Sequence, residues 1–206
     1  MVNNHVSSLK YRSDIDGLRA VAVILVVVFH ASPMWCKGGF IGVDIFFVIS
    51  GYLISSIILN DLKHNKFSFS GFYERRIKRI FPALILVVSL TVFLGWILLV
   101  QEDFMRLAKH VVGSSLFLSN FLLLKESGYF DDLAYSKPLL HLWSLAVEEQ
   151  FYLFWPILLS IFYKFRNRII SFIFITFILS FSLNIFTSIF FPFFAFYSPL
   201  TIIRSY

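Results

Sequence analysis

Cysteine is almost missing from this 206-residue sequence: Cys36 stands alone. One thiol can build neither an intrachain disulfide framework nor a cysteine-based metal site. Charge is scarce as well. Asp, Glu, Lys and Arg make up 15% of the chain, against about 25% in a soluble domain. Ala83 to Val100 carries no charge, and neither does Ile169 to Ile203. No small-x-small cleavage site follows the first apolar run, whose start holds Arg19, so that run reads as a retained helix rather than a removable leader. Internal repeats and low-complexity segments are absent apart from a richness in Phe, 27 residues, of the kind lipid-facing helices carry.

Apolar residues fill the space that charge leaves. They make up 58% of the chain, and mean hydropathy is +0.80. A helix needs about 20 mainly apolar residues to cross the hydrocarbon core, so the chain reads as an all-α, polytopic transmembrane helix bundle. The net charge of +6 does not point to nucleic acid, because Lys and Arg of membrane proteins gather in cytoplasmic loops and set topology. The implied surroundings are the lipid bilayer, with no nucleic-acid partner.

Residues 1–13 form a polar arm with Lys10 and Arg12. A first span is expected over about Asp16 to Ala31 and a second over about Ile41 to Leu59. A basic connection, Lys63 to Arg79, then carries six Lys or Arg against one Glu. Pro82 is expected in the first turn of a third span ending at Val100, a favoured place for proline. The arm and the basic connection are separated by two spans, which places both, and the N-terminus, in the cytoplasm and the 32–40 link outside. Gln101 to His110 is amphipathic. Val111 to Leu124 offers only about 14 apolar residues, a length suited to a re-entrant or interfacial segment. Residues 125–140 then stay outside, the helix from His141 to Tyr163 runs inward, and the Lys164, Arg166, Arg168 cluster is cytoplasmic. A last span, Ile169 to Phe191, stops at Pro192. The expected total is about five spans plus the re-entrant segment.

Ionisable groups inside a span cost roughly 2.5–3.5 kcal/mol even on lenient insertion scales, which makes them functional candidates. Arg19 and His30 lie about 16 Å apart along one helix rising 1.5 Å per residue. Snorkelling to the interface accounts for Arg19 equally well, and His30 alone could be a satisfied interfacial histidine, although histidine is also the usual general base near neutral pH. Asp44, in the segment GFIGVDIFFVISGYL, sits at the depth of His30. The glycines there, Gly39 and Gly51 in particular, serve either function or plain helix packing; no strand–turn–helix context makes them a dinucleotide fingerprint. Arg76 and Arg79, at i and i+3, share a helical face and suit a phosphate or diphosphate, or else topology and anionic lipid. His141, Ser144 and Glu148 share another face. Two adjacent glutamates in an apolar helix are hard to explain by packing. By depth, the arginines divide toward the cytoplasm, and His30, Asp44, His141 and Glu148 toward the outside.

Together these segments resemble the acyltransferase-3 family, bacterial membrane acyltransferases that O-acetylate O-antigen, exopolysaccharide and related glycans. The resemblance runs from Asp14 to about Thr201. It rests on the spacing of Arg19 and His30, the GFIGVDIFFVISGYL segment, Arg76-x-x-Arg79 before Ile80-Phe-Pro82, SNF at 119–121, SGYFD at 127–131 and HLWSLAVEEQFYLFWP. It implies an acyl-coenzyme A donor, acetyl-coenzyme A above all, used as co-substrate with no bound cofactor. The acceptor is a lipopolysaccharide or exopolysaccharide hydroxyl on the periplasmic face of the inner membrane. Arg19, Arg76 and Arg79 take the donor-side role, His30 the catalytic one, with Asp44 or Glu148 orienting it and Ser144 and His141 in support. Residues 14–206 correspond to the N-terminal part of the domain. Family members continue with further helices, so a fragment or a truncated inactive remnant is an alternative expectation, as is a glycan or acyl transport component without chemistry.

Overall fold

The computed structural model describes residues 12–32, 34–126, 137–165 and 168–190. Among these residues lie seven helices and no strand: α1 (Ser13–Ala31), α2 (Ile41–Lys63), α3 (Phe69–Leu98), α4 (Gln101–Ser115), α5 (Ser119–Glu126), α6 (Leu142–Tyr163) and α7 (Ile169–Phe190). In hydrocarbon every backbone polar group must be satisfied within the chain, and helices achieve this segment by segment. That demand overrides the modest helix propensity of the Phe- and Ile-rich runs.

Four helices, α2, α3, α6 and α7, are long and apolar enough to cross a membrane. The fifth of the about five spans expected, α1, is not among these four. This helix has 19 residues, about 28 Å at 1.5 Å per residue, but Asp14, Asp16 and Arg19 crowd its first two turns. The acidic pair belongs there electrostatically, since Asp14 and Asp16 complement the positive end of the helix dipole.

Two further boundaries differ. The basic connection is mostly helical, because α2 runs on to Lys63 and α3 begins at Phe69. Ser68 caps α3, its hydroxyl accepting from the Gly71 backbone N–H at 3.3 Å. Pro82 therefore lies inside α3 and not in its first turn, where it cannot donate to the Lys78 carbonyl one turn back. The helix expected from His141 starts one residue later, at Leu142. The 111–124 stretch is split between α4 and α5, neither counted among the crossing helices. The arm up to residue 11, the SGYFD motif and the stop at Pro192 lie outside the described residues.

The chain divides into two compact units, residues 1–67 with 156–169 and residues 68–155 with 170–206. In the first, α1 packs on α2 through two glycines. A Cβ on Gly39 would lie 2.6 Å from the Phe29 Cβ, and one on Gly42 would meet the Ala22 carbonyl oxygen and lie 2.7 Å from a Val26 methyl. Only hydrogen fits at either place. Gly51, for which packing and function stood as equal expectations, meets nothing within 4 Å. α2 ends in a Schellman motif, with Asn65 at φ 53° and hydrogen bonds from Asn65 N to Leu62 O and from Lys66 N to Asp61 O.

In the second unit α3 packs on α4 and α4 on α5. Gly95 admits the Leu107 side chain, leaving Leu107 buried. The same Schellman geometry closes α4: Phe117 N bonds Ser114 O, Leu118 N bonds Gly113 O, and Phe117 takes φ 54°. A non-glycine residue in that region is costly, and two contacts hold it. The Phe117 ring meets Phe81 edge-on at 6.0 Å, and its carbonyl accepts from Gln150 Nε2 at 2.7 Å.

Candidate functional site

His30 occupies the last turn of α1 and Asp44 the first turn of α2, so the glycine-mediated contact brings both to the same end of this helix pair. His30 Nδ1 lies 2.7 Å from the Val26 carbonyl oxygen. A carbonyl only accepts, so Nδ1 carries the hydrogen, and in the neutral ring Nε2 is the basic nitrogen. Val26 O is thus one group that orients the ring. The Phe29 ring, 5.4 Å away and edge-on, flanks the imidazole. Arg19 lies at the other end of α1, with Nη1 3.6 Å from Asp16 Oδ1.

The second unit holds Arg76, Arg79, His141, Ser144 and Glu148. Arg76 Cζ stands 4.5 Å from the centroid of the Tyr152 ring and 5.7 Å from that of Phe72. The Tyr152 hydroxyl donates to Glu148 Oε1, one turn back on α6. Arg76 also lies within electrostatic reach of Glu148 and Glu149. Arg76 and Glu148, expected at opposite depths, are therefore members of one cluster. The difference arises because α3 starts three turns before Pro82, which sets its basic stretch beside α6: the Tyr73 hydroxyl donates to the Leu153 carbonyl at 2.8 Å. Arg79, one turn on from Arg76, is exposed. Ser144 donates to the His141 backbone carbonyl at 3.1 Å, and His141 is exposed.

The block around Glu148 is fastened by residues that sequence reasoning passed over. Asn120 Nδ2 donates to Gln150 Oε1 at 3.3 Å, and Gln150 Nε2 donates back to Asn120 Oδ1 at 2.9 Å. Ser119 donates to the Leu142 carbonyl at 3.1 Å. SNF is thus the strut that holds the start of α6. Glu149, beside Glu148, has a buried Oε1 with no hydrogen-bond partner. One signal pointed to it: neighbours on a helix are about 100° apart, so two adjacent carboxylates cannot share one face and the second needs its own surroundings. Tyr152, one turn beyond Glu148, was legible in the same way.

The acyltransferase domain of the acyltransferase-3 family matches residues 12–203. The chain belongs to that family. As a member with four helices long and apolar enough to cross among its described residues, it is a multi-pass membrane protein. Among its relatives, the peptidoglycan O-acetyltransferase OatA of Listeria monocytogenes is 43% identical over 159 residues, covering 76% of this chain and 25% of the relative. YrhL of Bacillus subtilis is 44% identical over 158 residues, covering 74% and 24%. This acyltransferase-3 chain therefore spans about a quarter of the length of the curated relatives it matches. No solved structure matches it.

Proposed function

We propose that this chain takes part in membrane-bound O-acyl transfer, moving an acyl group, most simply acetyl, from coenzyme A to a hydroxyl of a cell-surface glycan. The observation that carries the reading is the His30 ring, whose Nδ1–H is committed to Val26 O, leaving Nε2 as the base. His30 Nε2 takes the proton of the acceptor hydroxyl as that oxygen attacks the thioester carbonyl. The C–S bond breaks, and the departing thiolate takes up a proton to leave as coenzyme A. Asp44, near the same end of the helix pair, supports the imidazolium. Arg19, Arg76 and Arg79 make up the donor side, with Glu148, Ser144 and His141 shaping α6.

The name of the Listeria relative, a peptidoglycan O-acetyltransferase, turns the acceptor from the O-antigen or exopolysaccharide first expected toward peptidoglycan. The orientation proposed with it has the N-terminus in the cytoplasm of a bacterial cell and the acceptor outside.

Coenzyme A release from membranes given acetyl-coenzyme A and a muropeptide acceptor tests this. A general base contributes about 10²–10⁴-fold, so His30→Ala should lower release by that factor. His30 is exposed at a helix end, so the substitution leaves the packing intact. Undiminished release from His30→Ala would remove the assignment. Movement of glycan with no coenzyme A release would make the protein a transport component.

A further inference from the structure

We propose that Arg76 and Arg79 have different tasks: Arg76 is a positioning residue that holds Tyr152 and Glu148 in α6, and phosphate recognition rests on Arg79. This builds on the donor-side role given above to the arginine pair. Arg76 is enclosed by aromatic faces. Phe72 and Tyr152, 2% and 3% exposed, present their rings to its guanidinium at 5.7 and 4.5 Å. A flat, weakly hydrated cation between two rings is a favourable arrangement. Glu148 and Glu149 both lie within its electrostatic reach. The Tyr152 ring that Arg76 covers is the one whose hydroxyl donates to Glu148, so displacing Arg76 releases the Glu148 carboxylate.

A phosphate at Arg76 would bring further negative charge against two carboxylates. It would also have to displace the cation from both rings. Arg79 also feels Glu149 but, among the described residues, has no ring to leave. It is exposed, one turn further along α3, and among the described residues it stacks on no ring and ion-pairs with no carboxylate closer than its electrostatic contact with Glu149. A charge-assisted hydrogen bond to phosphate is open to Arg79 without breaking an existing contact.

The test compares acetyl-coenzyme A with S-acetylpantetheine, which carries the thioester but no phosphate, using the full chain in membranes. Arg79→Ala should raise KM for acetyl-coenzyme A by about ten- to a hundredfold, the worth of a charge-assisted bond, and most of that penalty should disappear with S-acetylpantetheine. Arg76→Ala should lower kcat by the same factor with both donors. Its kcat penalty should shrink in a Tyr152→Phe background, which keeps the ring but lacks the hydroxyl that reaches Glu148. If the Arg76→Ala penalty also disappears with S-acetylpantetheine, Arg76 is a phosphate contact and the division is wrong. If unmodified membranes release no free thiol, coenzyme A or pantetheine, from either donor, the functional reading and the Arg79 role fall together. The Arg76 role is then decided by thermal unfolding in detergent: a destabilisation by Arg76→Ala that survives in Tyr152→Phe and is lost in Tyr152→Leu sustains it, and equal effects in all backgrounds overturn it.

Discussion

At the scale of single residues, the polar groups of this protein are placed by backbone atoms as often as by each other. His30 is oriented by Val26 O, Gln150 by Phe117 O, and Ser119 reaches Leu142 O. In an apolar medium this is economical: a carbonyl is always present, and an unmet polar side chain is expensive. Asn120 is the most exacting case, being fully buried with its amide paired to Gln150 in both directions. Asn120→Ala takes the Asn120 donor from Gln150 Oε1 and leaves Gln150 Nε2 only the Phe117 carbonyl, and it should destabilise the protein by about 1–3 kcal/mol. Thermal unfolding in detergent would register it. Because the two amides serve one another, Asn120→Ala with Gln150→Ala should cost clearly less than the two single losses added together. Strict additivity would mean that the amide pair contributes nothing.

The same scale separates what the sequence discloses from what it hides. A histidine near the end of an apolar run, an aspartate after GFIGV and two glutamates in a helix are visible as misplaced charge. Partners thirty positions away, such as Asn120 and Gln150, leave no mark, because each alone is an ordinary polar residue near a helix end. The group of His110, Glu126 and Lys137 is hidden for the same reason. His110 is 5% exposed, with Nε2 3.1 Å from Glu126 Oε2, and Lys137 Nζ is 3.2 Å from the same oxygen. It ties α4 to the end of α5 and to the residues leading into α6, yet only a tertiary contact identifies it.

At the scale of elements, hydrophobic length was a sound guide to which helices exist and a poor one to where they start. α3 was expected at Pro82 because the preceding stretch, rich in Arg and Lys, has no apolar period. A helix that emerges from lipid can keep its hydrogen bonds while its surface turns polar, so composition changes before structure does. Glycines carry the complementary lesson. Gly42 and Gly51 stand in one apolar helix and look alike in sequence, but one abuts α1 and the other faces open space. Gly42→Ala should push α2 from α1, with a loss of a few kcal/mol typical of overpacking and a fall in activity, since the pair positions His30 and Asp44. Gly51→Ala should be neutral or stabilising by up to about 1 kcal/mol through helix propensity. Equal effects from the two would show that the α1–α2 contact does not depend on the close approach at Gly42. Midpoint shifts in detergent, measured side by side, decide it.

At the scale of the whole molecule, the open matter is how α1 meets the membrane, since four helices qualify for crossing on length and composition and α1 does not. Its charges are confined to one end. Asp14, Asp16 and Arg19 occupy the first turns, while Ala20 to Phe29 is uncharged, so snorkelling at the start and a thin local bilayer would let it cross. A crossing α1 puts the α1–α2 link, with Cys36, on the face opposite to the Lys63 end of α2. A surface-lying α1 puts the link on the same face as the polar arm and, with α2 crossing, the Lys63 end on the opposite one. The scarcity that opens the sequence makes the experiment simple: Cys36 is the only thiol and is partly exposed, so no cysteine has to be removed. In intact spheroplasts a membrane-impermeant maleimide should label Cys36, and a cysteine placed at Lys63 in a Cys36→Ser chain should react only after the membrane is opened. The reverse pattern would invert the proposed orientation. Labelling of both positions from outside would mean that α2 does not cross as drawn, and the donor-side assignment of the arginines on α3 would then lose its topological support.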